Sequence, residues 1–174
     1  GAGRQAEKAL DGSGALVVRT HAYGWSPADT RPGFAERVWQ SLIEGRPVRF
    51  DPHRHATPIL ASHLAEFLWL AYRRGLEGTY HVAGAERASA HRFASELAAA
   101  FGLRSGGPSS VEESLEGAGG DYLHETSLNT RKARRELGAM PMLREGLEQF
   151  AAQAANGYRA RLQCPALEAA AGAA

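Results

Sequence analysis

Lysine and cysteine are both scarce in this chain of 174 residues, and each shortage excludes a kind of chemistry. Cys164 is the single cysteine, which excludes an intrachain disulfide and is typical of a reducing compartment such as the cytoplasm. Lys8 and Lys132 are the two lysines, and no tyrosine has a lysine four residues after it. The chain therefore lacks a Tyr-x-x-x-Lys pair, in which the lysine would lower the pKa of a tyrosine for proton transfer.

Long apolar runs and an excess of charge are absent as well. No apolar run reaches the length of a membrane span, and the N-terminus has no secretory apolar segment. The 20 basic and 19 acidic residues give a net charge of +1, which provides no attraction to nucleic acid or to an anionic membrane. We therefore expect a cytoplasmic protein that binds neither nucleic acid nor membranes.

Very little sequence precedes the first apolar strand, at residues 15–18. Residues 1–14 contain no initiator Met and no earlier strand. Residues 1–6 fit the pattern G-x-G-x-x-A, but a dinucleotide-binding turn needs a strand before it and an acidic residue about twenty positions later. We expect residues 1–6 to be a helix N-terminus or a chain start, and the whole chain to be the back half of a larger α/β protein.

Apolar periodicity followed by glycine predicts four helices, and alternating short apolar runs predict strands. The four helices are predicted at about residues 34–44, 62–74, 89–101 and 130–137, and a last helix at about residues 143–162. Strands are predicted at residues 15–18, 48–50, 58–60 and 79–83, and a surface loop at residues 105–120. Because strands alternate with helices, we expect an α/β fold with parallel strand pairing.

The loop after residues 15–18 carries His21, Tyr23 and Trp25. Ligands of open α/β folds bind at the carboxyl ends of strands, which favours a wall of a sugar or nucleotide site. The alternative is a loop at the edge of the core, in which the aromatic rings are buried and their polar tips reach water.

Two further clusters have simpler interpretations. His53, His55 and His63 lack the additional ligands that a zinc site needs, so residues 51–55 are expected to be a polar turn beside a ligand cleft, with no metal. The basic run at residues 131–135 is expected to be a solvated helix face.

Several segments, in order along the chain, resemble one family. Residues 17–24, Val-Val-Arg-Thr-His-Ala-Tyr-Gly, resemble the strand and loop that follow the catalytic Tyr/Lys helix of extended short-chain dehydrogenases. The segments that resemble the dTDP-4-dehydrorhamnose reductases are Gly33-Phe34, residues 46–51, Thr57-Pro58, Leu64-Ala65, residues 78–84, Ser89, Phe93, residues 126–130 and residues 144–147.

The resemblance implies partial Rossmann-type parallel strands together with the small α/β substrate-binding domain of this family. Residues 1–164 would bind the nucleotide-sugar, and residues 165–174 would form an Ala-rich flexible tail. The parent protein would be an NAD(P)H-dependent reductase of a dTDP-4-keto-6-deoxy sugar. Its missing N-terminal Rossmann half would bind NAD(P)H, no cofactor is expected on this chain alone, and a homodimer is left open.

The resemblance and the predicted strand ends together give a set of site residues. The expected substrate contacts are Tyr23, Trp25, Phe34, Arg37, Asp51, His53 and Thr57, and the expected cofactor contacts are Thr20, His21 and Ala22. In this prediction the aromatic rings stack on a sugar or base, and Arg37 forms paired hydrogen bonds with a diphosphate. The alternative places these residues on separate surfaces, with Phe34 in the core.

Three positions depart from the family pattern. Gly3 stands where the catalytic lysine is expected, His63 replaces the Asp of Asp-Leu-Ala, and residues 20–23 lack a tryptophan. A nucleotide-sugar epimerase, or a non-catalytic binding or regulatory relative of the same fold, therefore remains an alternative to a reductase.

Overall fold

The computed structural model describes residues 2–10, 12–27, 31–47, 54–103 and 125–162. The predicted strand at residues 48–50, the loop at residues 105–120 and the tail lie outside the described residues, as do Asp51, His53 and Cys164. No helix in the described part of the chain combines the length and the apolar character that crossing a membrane requires.

Helices and short strands alternate along the chain, as predicted. The helices are α1 (Ala2–Ala9), α2 (Phe34–Ile43), α3 (Ala61–Arg73), α4 (Ala90–Ala100), α5 (Arg131–Leu137), α6 (Leu143–Ala155) and α7 (Tyr158–Leu162). The strands are β1 (Leu16–Arg19), β2 (Ala22–Tyr23), β3 (His55–Ala56), β4 (Ile59–Leu60), β5 (Gly78–His81) and β6 (Ala88–Ser89). The glycines predicted to follow α2 to α5 all have positive φ, between 60° and 94°.

Of the three strand pairs in the described part of the chain, two are parallel, which confirms the predicted pairing. Strand β1 pairs with β5 from Leu16 opposite Gly78 to Arg19 opposite His81. Strand β2 pairs in parallel with β4, whereas β3 and β6 are antiparallel. The antiparallel pair was not predicted, because two residues are too few to produce an alternating pattern.

The single predicted helix at residues 143–162 is wrong in one respect, because the structure divides it into α6 and α7. The first helix ends at Ala155, and Asn156 is its C-cap. Gly157 follows with φ of 65°, a conformation that a helix interior does not allow and that glycine adopts readily. Apolar periodicity continues across this break, so periodicity alone overestimated the helix length.

The buried side chains form two clusters. The sheet core consists of Ile59, Ala71, Tyr80, Val82, Ala133, Leu137 and Met140. The aromatic core consists of Tyr23, Trp25, Ala35, Val38, Leu60, Ala88, Phe93, Ala94, Leu97, Leu143, Leu147 and Phe150. Successive side chains of a strand point to opposite sides, so in β4 Ile59 belongs to the sheet core and Leu60 to the aromatic core.

The segment around β4 is fixed by close backbone contacts. Ile59 donates its backbone N–H to the His21 carbonyl at 3.1 Å, and Gly84 donates to the Thr57 carbonyl at 3.2 Å. A Cβ atom at Gly84 would overlap the Pro58 carbonyl oxygen, so only glycine allows this approach. These contacts hold residues 57–60 against the loop that leaves β1.

Candidate functional site

A cleft of about 440 Å³ opens beside the aromatic core. Its walls come from the loop after β1, the start of α2, the β3–β4 segment and the junction of β6 with α4. The lining residues are His21, Ala22, Tyr23, Phe34, Arg37, Arg54, Ala56, Pro58, Ala88, Ser89, Ala90 and Phe93.

Aromatic rings form one wall of the cleft. Phe34 is the first residue of α2 and remains 38% exposed, while the next residue, Ala35, is buried. The Phe34 ring lies 5.5 Å from the Phe93 ring, and the Tyr23 ring meets Phe93 edge-on at 5.1 Å. The side chain of Phe34 therefore offers ring surface to a ligand, supported from behind by buried aromatic residues.

Tyr23 contributes its ring to the cleft and directs its hydroxyl into the protein. The hydroxyl is buried, has no hydrogen-bond partner among the described residues and lies against Gly146 of α6, where a Cβ atom would collide with it. Burial raises the pKa of this hydroxyl above its usual value. Tyr23 is therefore suited to apolar contact and unsuited to proton transfer.

The charged side chains that line the cleft are all basic. Arg37 and Arg54 are exposed, and the described lining residues include no carboxylate. The Nη1 atom of Arg37 donates to the Pro32 carbonyl at 2.7 Å, which fixes the guanidinium at the mouth of the cleft. Helix α4 begins at another wall of the cleft, where the Ser89 hydroxyl caps it by accepting from the Arg92 backbone N–H at 3.1 Å. Two guanidinium groups and a helix N-terminus together favour an anionic ligand.

His21 lies at the inner side of the cleft in contact with Thr57. Its Nδ1 atom is 3.5 Å from the Thr57 hydroxyl oxygen, and that oxygen accepts from the Leu128 backbone N–H at 3.1 Å. Burial, and to a smaller extent the charge of Arg54, lower the pKa of His21 below its usual value. The uncharged imidazole is therefore favoured in the folded protein.

The structure brings most of the predicted contacts that it describes to one place. Tyr23, Phe34 and Arg37 line the same cleft, together with His21 and Ala22, which were predicted as cofactor contacts. Phe34 is therefore at the surface of the cleft, whereas the alternative interpretation placed it in the core.

Two predicted substrate contacts lie behind the cleft surface. Thr57 is 5% exposed, and its neighbours Ala56 and Pro58 line the cleft in its place. Trp25 is 8% exposed, stacks on Phe150 at 4.1 Å and donates its indole N–H to the Phe150 carbonyl at 3.2 Å. For Trp25 this geometry corresponds to the alternative of a ring buried at the edge of the core.

Seven lining residues were not among the predicted site residues, and three of them, Arg54, Ser89 and Phe93, have polar or aromatic side chains. Arg54 was treated only as part of a polar turn, although it follows the predicted contact His53 directly. Ser89 and Phe93 were recognised as a helix start that resembles the family, and that helix start forms a wall of the cleft. Their Ser-x-x-x-Phe spacing was the available signal, because it places a capping hydroxyl and a ring on one side of the first turn.

The remaining predicted cofactor contact is Thr20, the residue directly after β1. Its hydroxyl is buried and has no hydrogen-bond partner among the described residues. An unsatisfied buried hydroxyl at the carboxyl end of a parallel strand is compatible with a bound polar group.

Two other features bear on alternative sites. A hollow of about 620 Å³ is lined by side chains of both charges, including His63, Glu66, Arg134 and Glu145, so it lacks the uniform basic character of the cleft. Within residues 2–10, 12–27, 31–47, 54–103 and 125–162, no three His, Cys, Asp or Glu side chains converge as metal ligands.

Solved structures with the same fold include dTDP-4-dehydrorhamnose reductases and a UDP-glucose 4-epimerase. A dTDP-4-dehydrorhamnose reductase of Bacillus anthracis, in complex with NADP, is 21% identical with a TM-score of 0.68, and the match covers 79% of this chain and 48% of the reductase. A hypothetical dTDP-4-dehydrorhamnose reductase of Sulfolobus tokodaii is 27% identical with a TM-score of 0.57, covering 71% of this chain and 42% of that one.

An epimerase matches the fold of this chain with a TM-score close to that of the Bacillus anthracis reductase. The UDP-glucose 4-epimerase of Thermotoga maritima, solved with UDP-glucose, is 18% identical with a TM-score of 0.66, and the match covers 89% of this chain and 51% of the epimerase. No curated protein matches the sequence. The chain thus spans about half the length of the enzymes that share its fold.

The family assignment comes from the sequence itself and agrees with this fold. The model of the family described as the RmlD substrate binding domain matches residues 2–156, which include the described elements from α1 to α6 and the whole lining of the cleft. The architecture is the Rossmann-type α/β fold of these reductases and of the epimerase. The chain belongs to the RmlD substrate binding domain family.

Proposed function

We propose that this chain is the sugar-nucleotide-binding part of an NAD(P)H-dependent reductase that acts on a dTDP-4-keto-6-deoxy sugar. The observation that carries the proposal is the composition of the cleft. It combines the exposed ring of Phe34 with two guanidinium groups and contains no carboxylate among its described lining residues. A nucleotide-sugar presents the complementary features, because a nucleoside with its flat base lies on one side of the diphosphate and a sugar ring lies on the other.

Each wall of the cleft has a distinct part in this proposal. The base or the sugar stacks on Phe34, whose position is supported by Phe93. Arg37 and Arg54 bind the diphosphate oxygens by charge-assisted hydrogen bonds, and the start of α4 adds a favourable potential. His53, which directly precedes Arg54, and Asp51, three positions before Arg54, remain proposed substrate contacts.

We place the cofactor contacts at the carboxyl end of β1. NAD(P)H supplies the hydride when it is bound, and Thr20 and Ala22 lie where the sheet would present them to it. In the described part of the chain β1 pairs only with β5, and Leu16, Val17 and Val18 are only half-buried. A cofactor-binding half that added strands next to β1 would complete the burial of these side chains.

A binding relative without reductase activity is the second candidate. It is favoured by Gly3, which stands in α1 at the position where the resemblance places the catalytic lysine. An activity assay on a longer protein that contains this chain would distinguish the two candidates. A reductase would oxidise NADPH in the presence of the 4-keto sugar. A binding protein without reductase activity would bind the nucleotide-sugar and leave NADPH unchanged.

Calorimetric titration of the chain with dTDP-glucose tests the binding function. We expect binding that Arg37→Ala weakens by roughly tenfold or more, because a charge-assisted hydrogen bond would be lost. Arg73→Ala removes an exposed arginine of α3 that does not line the cleft and should leave the affinity unchanged. Absence of binding by the unaltered chain, or equal affinities for the two variants, would refute the proposed site.

A further inference from the structure

The contact between His21 and Thr57 determines which nitrogen of the imidazole carries the proton. The Thr57 hydroxyl oxygen already accepts the backbone N–H of Leu128 at 3.1 Å. Thr57 is 5% exposed, and its hydroxyl forms no other hydrogen bond within the described residues apart from the contact with His21. If Nδ1 of His21 were the donor, the buried hydroxyl hydrogen of Thr57 would have no acceptor, which is unfavourable.

The favourable arrangement has Thr57 donating its hydroxyl hydrogen to Nδ1 of His21. A neutral imidazole has one acceptor nitrogen and one N–H, so an acceptor at Nδ1 leaves the hydrogen on Nε2. Nε2 forms no hydrogen bond with a described residue, and His21 lines the cleft. The free N–H is therefore available to a ligand.

The neighbouring side chains keep this imidazole neutral. Arg54 and Arg37 are the charged residues that line the same cleft, and no described lining carboxylate would stabilise an imidazolium. Burial and the charge of Arg54 lower the pKa of His21, so the neutral form predominates at neutral pH. The two arginines can bind ligand anions, which leaves His21 to recognise an uncharged group.

We propose that His21, oriented by Thr57, is a specificity-determining residue that donates its Nε2 hydrogen to an uncharged acceptor oxygen of the nucleotide-sugar. The inference rests on the function proposed above and assigns His21 to the substrate, whereas the resemblance assigned it to the cofactor. A site built to donate a hydrogen bond discriminates against ligands that lack the acceptor, because its donor is then left unpaired.

The arrangement of the proton is testable without any ligand. Nitrogen-15 NMR of the imidazole should find the Nε2–H form in the unaltered chain at neutral pH. Thr57→Val removes the hydroxyl and should shift His21 towards a mixture of tautomers, and Thr57→Ser should restore the Nε2–H form. An Nδ1–H form in the unaltered chain, or no change in Thr57→Val, would overturn the role of Thr57.

The contact with the ligand is tested with dTDP-glucose as the probe. His21→Phe keeps a ring of similar size but has no N–H, and we expect its affinity to fall roughly five- to tenfold. His21→Gln retains a donor near the position of Nε2 and should recover most of the loss. The control His81→Phe changes a histidine that lies outside the cleft lining and should bind normally.

The outcomes separate this inference from the function on which it rests. If the unaltered chain binds dTDP-glucose and His21→Phe binds equally well, the proposed contact is wrong and the proposed function stands. If the unaltered chain does not bind dTDP-glucose, the proposed function fails and the ligand assigned to His21 fails with it. The tautomer measurement decides the role of Thr57 in either case.

Discussion

The sheet core and the aromatic core differ in composition and in what lies beside them. Tyr80 is the only aromatic residue in the buried sheet core, whereas the buried aromatic core contains Tyr23, Trp25, Phe93 and Phe150. Within the described residues only the aromatic core borders the cleft, and three of its members, Tyr23, Ala88 and Phe93, line it. The sheet core joins helices to the sheet mainly through aliphatic side chains, whereas in the aromatic core the rings beside the cleft are supported by further aromatic rings.

The largest effects on stability are expected when either core loses one buried side chain. Phe150 is fully buried and contacts Trp25 and Tyr23, so Phe150→Ala should lower the free energy of unfolding by about 3–5 kcal/mol. Leu137→Ala, in the sheet core, should lower it by about 2–5 kcal/mol. Urea unfolding gives both values.

The comparison is decided by ligand binding, measured by titration at a temperature where both variants remain folded. We expect Phe150→Ala to weaken dTDP-glucose binding and Leu137→Ala to leave it unchanged. Equal losses of affinity would indicate that ligand binding depends on the overall stability of the chain and not on the aromatic core in particular.

A smaller effect is expected at Glu36, a charged residue buried beside the aromatic core. One of its carboxylate oxygens accepts the Gly33 backbone N–H at 2.8 Å, and the other lies 3.6 Å from Nε of Arg159 in α7. Glu36→Gln retains the contact with Gly33 but removes the charge opposite Arg159, and should lower the free energy of unfolding by about 1–2 kcal/mol. Glu148→Gln, on the exposed side of α6, is the matched control. A loss no greater than that of the control would contradict the stabilising role of the pair.

Acid should weaken the ion pair that joins Glu125, the first residue of the segment at residues 125–130, to Arg87, which directly precedes β6. A hydrogen bond with Ser127 and the ion pair with Arg87 lower the pKa of Glu125 to about 2. Because this pKa is depressed in the folded state, the stabilisation is present above the unfolded value of about 4.3 and is lost as the pH falls towards 2. The difference in Tm between the unaltered chain and Glu125→Gln should therefore shrink over this range. A difference that is constant from neutral pH to pH 2 would contradict the assignment.

The smallest effect is expected at the hydroxyl of Tyr23. This buried group has no hydrogen-bond partner among the described residues, so Tyr23→Phe removes an unsatisfied polar atom and should change the free energy of unfolding by less than about 0.5 kcal/mol, or raise it slightly. The affinity for dTDP-glucose should also persist, because the cleft uses the ring. A loss above 1 kcal/mol in urea unfolding would reveal a partner for the hydroxyl.

The sequence predicted the helices better than the strands or the exact members of the site. Helices α2 to α4 combine several turns of apolar periodicity with a glycine at the end, the shorter α5 also ends at a glycine, and both signals are local. Strands β3 and β6 have two residues each, so their pairing depends on distant parts of the chain that place Ala56 opposite Ala88. Tyr23 and Trp25 illustrate the same limit at the site. They are two positions apart in the sequence and both belong to the aromatic core, but Tyr23 lines the cleft whereas Trp25 does not and stacks on Phe150.

Amide NMR spectra recorded while dTDP-glucose is added test the central claim most directly, because they report on both cores at once. The account predicts that shifts concentrate at Phe34, Arg37, Arg54 and Ser89 around the cleft, while the amides of α3 and α5 remain unchanged. Shifts confined to α3 and α5, or no shifts at concentrations that should saturate the cleft, would contradict it.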